Sequence, residues 1–324
     1  MRFTRRFQSR DGAREEGPQL ANQPLLLSRR LWINFTPSRE AGIADALTEK
    51  VLQAYSGIDN ARLREIVACL IGHLHAFVRE AKPTDKEFEA GWDLMAEMAQ
   101  FTGDERNEFL LLCDVTGVSE LVEKINHARP QSAVGFSLVG PFYRANAPMR
   151  KRGETIASDD TKGDRVCITG RVLDLATGSP VAGTMLDVWQ AAANGLYENQ
   201  DKNQPDYNLR GRFRVDEAGT FEMTALLPTP YPVPIDGPVG ELIKLAKRQP
   251  YRPAHIHFIV SAPKYETLVT QVFRKGDDII DKDPVFAAED DCIGEFHREN
   301  GQYHLHYDFQ LRPGVSTMPK APIP

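Results

Sequence analysis

Two pairs of histidines in this 324-residue sequence have a spacing that suits metal binding: His255 with His257, and His304 with His306. In a β-strand, residues i and i+2 point to the same face, with Cα atoms about 6.5–7 Å apart. Two imidazoles in that arrangement can converge on one ion. Because the spacing occurs twice, it does not by itself say which pair does so.

The neighbouring residues favour the first pair. The stretch from Ala254 to Val260 is apolar apart from its histidines, so both faces of this strand are expected to be buried. Buried imidazoles need polar partners. The second pair shares its strand face with Asp308 and Gln310, which is typical of a solvated surface. A single His-x-His pair is a weak signal, so a structural role remains open even for the first pair.

Two tyrosines supply the oxygen ligands that this pair would need. Tyr197 follows a strand that ends at Trp189, and Tyr231 stands between two prolines that restrict its backbone. A phenolate suits Fe(III) better than Zn(II) or Cu(I). Keeping one tyrosine ionised at pH 7 costs roughly 4 kcal/mol, so a highly charged cation is required. Two histidines with two tyrosines therefore indicate ferric iron; the alternative is that both tyrosines only pack.

The elements that would position these residues belong to an α+β chain. From about residue 40 to 128 the apolar residues recur with a helical period, most clearly from Leu63 to Val78. After Pro130 the period falls to two and turn residues become frequent, which predicts an antiparallel β-sandwich. Within it, the turn at residues 216–219 predicts a hairpin.

Three segments follow from this pattern. Residues 1–39 are Arg-rich and aperiodic and are predicted to be a flexible or loosely docked extension; residues 40–128 form a helical segment, and residues 129–324 a β-sandwich domain that carries the candidate metal ligands. The apolar stripe of the helical segment is compatible with a subunit interface, and ordinary core packing explains it equally well.

Composition excludes several classes of function. A net charge of −6 disfavours binding to nucleic acid or to anionic membranes, and no apolar run is long enough to insert into a bilayer. The four cysteines are far apart and form no CxxC pair, which excludes a zinc–thiolate site and a disulfide framework. Scattered thiols predict a cytoplasmic protein.

From about residue 40 to 311 the sequence resembles the intradiol ring-cleavage dioxygenases, the group of catechol and hydroxyquinol 1,2-dioxygenases. The likeness rests on blocks that occur in family order. They are Gly140-Pro141-Phe142-Tyr143, Asp187-Val188-Trp189-Gln190-Ala191, Gly195-Leu196-Tyr197, Tyr207-Asn208-Leu209-Arg210, Tyr231 before Asp236-Gly237-Pro238, and Arg252-Pro253-Ala254-His255-Ile256-His257-Phe258.

The resemblance implies a role for individual residues. Tyr197, Tyr231, His255 and His257 are expected to bind one non-haem Fe(III) ion per subunit. Tyr231 is expected to be the axial ligand that leaves when substrate arrives, and so to act in catalysis. Arg252 and Gln271 stand where the family places polar residues that orient the substrate, although an arginine just before a buried strand is otherwise most often a surface residue. The expected substrate wall is Gly140, Pro141, Phe142, Pro232 and Arg252.

The resemblance also implies the reaction. The residues around Pro141 and Tyr231 look most like those of hydroxyquinol 1,2-dioxygenases, which predicts cleavage of hydroxyquinol by O2 to 3-hydroxy-cis,cis-muconate (maleylacetate). The alternatives are a catechol or substituted-catechol 1,2-dioxygenase and, more remotely, a sandwich that binds a ligand without catalysis. Relatives imply a homodimer through the helical segment, with bound phospholipid as a further possibility.

Overall fold

The computed structural model describes residues 39–103, 106–130 and 133–323. These residues form two compact units, one ending at Met95 and one beginning at Ala96. All but the last residue of the predicted extension 1–39 lies outside the described residues. The predicted boundary between residues 128 and 129 stays a prediction.

The first unit is helical, as predicted. It contains α1 (Arg39–Ala54), α2 (Ala61–Ala81) and the first part of α3 (Asp85–Phe101). Helix α2 begins after Asn60, whose side chain accepts a hydrogen bond from the backbone N–H of Leu63, and ends before Lys82, which has a left-handed conformation. The predicted apolar stripe of α2 is exposed at Leu63, Ile66, Leu70, Leu74, Phe77 and Val78. Among the described residues no helix combines the length and apolarity needed to cross a bilayer.

The second unit contains short helices and two main sheets. The helices after α3 are α4 (Glu108–Val115), α5 (Val118–Asn126) and α6 (Pro238–Leu245). The strands among its described residues are β1 (Met149–Arg150), β2 (Arg165–Asp174), β3 (Met185–Trp189), β4 (Arg210–Arg214), β5 (Thr220–Leu226), β6 (Tyr231–Pro232), β7 (Tyr251–Arg252), β8 (His255–Ser261), β9 (Leu268–Arg274), β10 (Ile293–Gly294), β11 (His297–Glu299), β12 (Gln302–His306) and β13 (Phe309–Leu311).

The sheets are mixed, which corrects the prediction of a purely antiparallel sandwich. One sheet has the order β1-β4-β3-β8-β9-β10; in the other, β11, β12, β2 and β13 are joined by β5, which pairs with β2. The pairs β1–β4, β9–β10, β2–β12 and β2–β13 are parallel. Except for β9–β10, these partners are distant in the chain, so no turn signal reveals their direction. In β9–β10 a long loop with two 3₁₀ turns replaces the tight turn of a hairpin.

The predicted hairpin at residues 216–219 is also wrong. The turn exists, since the backbone N–H of Gly219 donates to the carbonyl of Asp216. However, β4 pairs with β3 and β1, whereas β5 pairs with β2 in the other sheet. Each strand buries one face in the same core, so a tight turn can connect two sheets as readily as two strands of one sheet.

Strand β8 separates the main core from the site. Its residues Ile256, Phe258 and Val260 belong to the hydrophobic core between the two sheets. The alternate residues of β8 face the other side of the six-stranded sheet, where Ile259 packs in a second buried cluster with Trp189, Tyr197 and Tyr231. The two-residue period of β8 therefore places His255 and His257 on this second side.

Candidate metal centre and active site

Four polar side chains meet against the outer side of β8. His255 and His257 are on the strand, Tyr197 is in the loop after β3, and Tyr231 begins β6. The two Nε2 atoms are 3.1 Å apart, and the two Oη atoms are 3.2 Å apart. Tyr197 Oη is 3.1 Å from His257 Nε2, and Tyr231 Oη is 3.4 Å from His255 Nε2. All four residues are buried.

This arrangement fits one transition-metal ion. Ligand atoms about 2.0–2.2 Å from a common ion are themselves separated by roughly 3 Å, as these are. Within the described part of the chain, no group of three or more His, Cys, Asp or Glu side chains could hold a metal. A metal at this position would therefore need the tyrosine oxygens, and a set of two imidazoles and two phenols is better suited to Fe(III) than to zinc.

The protonation states agree with such a site. Burial, together with the charge of Arg252, lowers the pKa of His255 to about 3. Burial and the neighbouring His255 lower the pKa of His257 well below its usual value. Both imidazoles are therefore neutral and have a lone pair for an ion. Burial and the neighbouring Tyr231 raise the pKa of Tyr197, so a phenolate there requires a bound cation.

The two histidines are oriented by different means. The Nδ1–H of His255 donates to the carbonyl of Pro253 at 2.7 Å, which turns Nε2 towards the tyrosines. The Nδ1 atom of His257 is buried without a hydrogen-bond partner among the described residues. Its ring instead stacks on the indole of Trp189, with centroids 4.7 Å apart and an interplanar angle of 8°.

Two glycines with positive φ allow this packing. Gly140 (φ +73°) lies against His257, and a Cβ atom there would be 3.4 Å from Cε1 of the imidazole. Gly195 (φ +80°) lies against Tyr231, and a Cβ atom there would be 3.3 Å from the tyrosine Cβ. Any other residue would strain the backbone at both positions. The structure thus places Gly140 beside a candidate ligand.

Arg252 is buried at the site, so its alternative interpretation as a surface residue is wrong. Its Nη1 lies 3.5 Å from Tyr231 Oη and 3.2 Å from His255 Nε2, and its Nη2 donates to Gln271 Oε1 at 2.8 Å. Gln271 in turn donates to the carbonyl of Leu138. The structure therefore brings Arg252 and Gln271 together next to Tyr231.

The carboxylate that balances Arg252 is Asp283, which the sequence did not reveal. Nε of Arg252 donates to Oδ1 at 3.2 Å, and Nη2 donates to Oδ2 at 3.1 Å. Burial opposes the charge of the guanidinium, but Asp283 together with Tyr231 and Tyr197 outweighs that effect and raises the pKa of Arg252. A buried arginine requires an acidic partner, yet no spacing rule identifies a residue thirty-one positions away in a loop.

A cleft of about 620 Å³ lies in the second unit, and Pro141, Phe142 and Pro232 line it. Phe142 also stacks on the ring of Tyr197, with centroids 4.7 Å apart. Of the five residues expected in the substrate wall, Gly140 and Arg252 are not in this lining. Helix α4 contributes Leu111 and Asp114, which were not among the predicted site residues. Asp114 is 9% exposed and is the least exposed carboxyl group of the lining.

Two family models match the chain. The model described as "Dioxygenase" covers residues 138–313, and the model described as "Catechol dioxygenase N terminus" covers residues 60–134.

Characterised relatives cover most of the chain. It is 40% identical over 268 residues to 6-chlorohydroxyquinol 1,2-dioxygenase of Cupriavidus pinatubonensis, covering 82% of this chain and 96% of that protein. It is 41% identical over 257 residues to hydroxyquinol 1,2-dioxygenase of a Rhizobium species, covering 79% of this chain and 86% of that protein. Among solved structures, hydroxyquinol 1,2-dioxygenase of Pseudomonas putida DLL-E4 is similar with a TM-score of 0.78 and 36% identity, covering 84% of this chain and 99% of that one.

Proposed function

The chain belongs to the family of intradiol ring-cleavage dioxygenases, and from this premise we propose that it cleaves hydroxyquinol (benzene-1,2,4-triol) with O2. The product would be 3-hydroxy-cis,cis-muconate, the enol form of maleylacetate. The observation that carries this substrate is the position of Asp114, a largely buried carboxyl group in the wall of the cleft.

The third hydroxyl group distinguishes hydroxyquinol from catechol. Asp114 shares the cleft with Pro141, Phe142 and Pro232, which offer the ring of a substrate mainly apolar contacts. Burial raises the pKa of Asp114, and a hydrogen bond from Ser119 opposes that shift. A carboxyl group in this position can accept a hydrogen bond from the extra hydroxyl. Catechol lacks that group, and a site built to bind a hydroxyl discriminates against an analogue without it.

For the cofactor we propose one non-haem Fe(III) ion per subunit, held by Tyr197, Tyr231, His255 and His257. A ferric ion bound there would supply Lewis acidity and a template for the two adjacent oxygens of the diol. The donor set supports this choice, because two buried phenols side by side are otherwise costly to ionise.

The surrounding side chains would accept a proton, stabilise negative charge and orient the substrate. The Oη of Tyr231 would act as a base towards a substrate hydroxyl, and Nη1 of Arg252 lies 3.5 Å from that oxygen. The same guanidinium can stabilise negative charge on the ring of the substrate. Asp283 and Gln271 restrict Arg252 to this position through three hydrogen bonds. Phe142 and Pro232 present apolar surface to the cleft.

The substrate is tested by comparing kcat/KM for hydroxyquinol and catechol in the purified protein and in Asp114→Leu. We expect the protein to prefer hydroxyquinol and the variant to lose at least about tenfold of that preference, which corresponds to one hydrogen bond to a charged group. Asp236→Asn is the matched control, since Asp236 lines the same cleft but is exposed and paired with Arg106. A preference for catechol in the parent protein would overturn the substrate and leave the dioxygenase activity intact.

The metal is tested by colour and elemental analysis. Charge transfer from tyrosinate to Fe(III) should make the purified protein reddish, with about one iron per chain. Colourless protein that contains no iron and stays inactive after incubation with ferrous or ferric salts would contradict the proposed ferric site.

We also propose a cytoplasmic homodimer that associates through the helical segment, with phospholipid bound at that interface. The exposed stripe on α2 supports the association, and the free state of all four cysteines suits a reducing compartment. Light scattering of the parent and of Leu70→Glu would test the dimer, and lipid extraction followed by mass spectrometry would test the ligand. A monomeric parent without lipid would contradict both.

A further inference from the structure

The family block Tyr207-Asn208-Leu209-Arg210 has no role in the site described above, although its backbone is unusual. Tyr207 has φ +56° and Leu209 has φ +58°, in the left-handed region that bulky residues rarely adopt. Asn208 between them is buried, and its side-chain oxygen accepts hydrogen bonds from Ser158 N–H and Thr161 Oγ1. Strain of this kind persists where the surrounding structure fixes it, often near a functional site. The segment ends at Arg210, the first residue of β4.

Arg210 is a buried cation that is paired with a buried anion. The side chains of Arg210 and Glu198 are 1% and 2% exposed, and Nε of Arg210 donates to Glu198 Oε2 at 2.7 Å. The other carboxylate oxygen accepts from Arg144 at 2.8 Å. Nη1 of Arg210 is buried and has no hydrogen-bond partner within the described ranges. Buried ion pairs contribute little net stability against apolar residues of the same size, so this pair calls for another explanation.

The pair lies directly behind one of the candidate iron ligands. Glu198 is the residue after Tyr197, and Arg210 is opposite Trp189 in the register of β3 and β4. The Cζ atom of Arg210 is 5.9 Å from the centroid of the Tyr197 ring. At this distance a cation is attracted to an aromatic ring, and the attraction grows when the ring carries the charge of a phenolate.

We propose that Arg210, held in place by Glu198, is a positioning residue for the iron ligand Tyr197 and stabilises the negative charge of its phenolate. Arg210 does not touch substrate or iron, and it acts only through Tyr197. The strained turn at Tyr207 and Leu209 directs the arginine to this position. This inference rests on the ferric site proposed above.

The test compares Arg210→Gln, Arg210→Lys and Glu198→Gln with the parent protein. The control is Arg214→Gln, because Arg214 is an exposed arginine on the same strand. The measurements are the wavelength of the tyrosinate-to-Fe(III) band, the iron content per chain, and the rate at which a chelator removes iron. Removing the positive charge raises the energy of the phenolate donor, so Arg210→Gln should shift the band to longer wavelength. Removing the negative charge in Glu198→Gln should shift it to shorter wavelength.

We further expect iron to bind about 10- to 100-fold more weakly in Arg210→Gln, the usual effect of losing an outer partner of a metal ligand. Arg210→Lys should retain most of the band position, and Arg214→Gln all of it. The proposal would be overturned if the band shifted in the same direction in Arg210→Gln and Glu198→Gln, or if it did not shift in the iron-loaded variants. The Arg210–Glu198 ion pair would then have only a structural role. If Arg210→Gln does not fold, the test rests on Glu198→Gln, and a shift of its band to longer wavelength would overturn the proposal. A parent protein without the band would instead overturn the ferric site itself.

Discussion

The two His-x-His pairs of this chain share one spacing and differ in almost everything around it. His255 and His257, on β8, are 3% and 2% exposed, and their Nε2 atoms meet at 3.1 Å. His306, on β12, has a side chain that is 63% exposed and lies 3.4 Å from Asp308. His304 stacks on His297 of the neighbouring strand, with centroids 5.7 Å apart.

The difference shows that the strand period aligns two histidines but does not make them a site. Beside β8, the neighbouring strands bring Trp189 opposite His257 and Phe273 opposite His255, which exclude water from both rings. The loop after β3 and the first residue of β6 then add two tyrosine oxygens. Beside β12, the facing residues are Cys167 and Thr169 on an accessible sheet face, and His306 stays exposed although Asp308 lies 3.4 Å from it. Among the residues that the structure describes, no loop encloses the histidines of β12 as the tyrosine loops enclose those of β8.

The most direct test of this difference removes one histidine from each pair. We expect His257→Ala to lose iron and to lose more than about 100-fold in kcat/KM, because even outer partners of a ligand are worth about 10- to 100-fold. His304→Ala, the matched variant on β12, should keep its iron, its colour and its activity. Iron analysis and steady-state kinetics on both proteins provide the measurement. Equal losses in the two variants would mean that the spacing, and not its surroundings, determines function.

A second test of the difference between the two pairs removes a tyrosine hydroxyl group near each of them. Tyr231→Phe should lose about 100-fold or more in activity, because it removes the proton-accepting oxygen next to Arg252. The protein should still bind iron through Tyr197, with an altered visible band. Tyr303→Phe on β12 is the control, since it removes a hydroxyl group next to the other pair in the chain, from a ring that packs against the main core. Normal turnover in Tyr231→Phe would show that Tyr231 is not the ligand that leaves.

The sequence predicted the residues of the site better than the framework that holds them. The period of β8 and the prolines around Tyr231 are local signals, and the structure brings His255, His257, Tyr197 and Tyr231 together as they imply. The resemblance also identified Arg252 and Gln271, which periodicity alone would not have selected.

The errors concern interactions between distant parts of the chain. The parallel pairing of β2 with β12 and β13 joins segments that no turn connects. The partner of Arg252 is Asp283, which follows a 3₁₀ turn. No helical or strand pattern of apolar residues surrounds it in the sequence, so nothing there predicts that it is buried. Gly140 was expected to line the substrate wall, yet its lack of a side chain serves the packing of His257. Such contacts depend on which loops fold over the sheet, and a single sequence carries no spacing rule for that.

Each pair also has a carboxylate nearby, and we expect the two carboxylates to contribute differently to stability and activity. Asp283 forms a buried ion pair with Arg252 next to His255. Asp283→Asn would leave the charge of Arg252 buried without a counter-ion, so we expect a loss of about 3–5 kcal/mol in the free energy of unfolding, together with reduced activity. Asp308 pairs with the exposed Arg171 beside His306, and Asp308→Asn should scarcely change either quantity. Urea unfolding of both variants measures the difference, and similar midpoints would contradict it.

The smallest expected effect concerns what orients each histidine of the first pair. The orientation of His255 depends on a hydrogen bond to the backbone of Pro253, which no substitution of a neighbouring side chain removes. The orientation of His257 depends on Trp189, because its Nδ1 has no partner within the described part of the chain.

Trp189→Phe preserves an aromatic face, so we expect close to normal iron retention. Trp189→Leu removes the stack, which is worth about 0.5–1.5 kcal/mol beyond burial. It should therefore release iron to a chelator roughly 2- to 10-fold faster. Phe258→Leu controls for a loosened core, since Phe258 is equally buried and adjacent to His257 but faces the opposite side of β8. If Phe258→Leu accelerates iron loss as much as Trp189→Leu, the stack has no specific role and His257 is held by general packing alone.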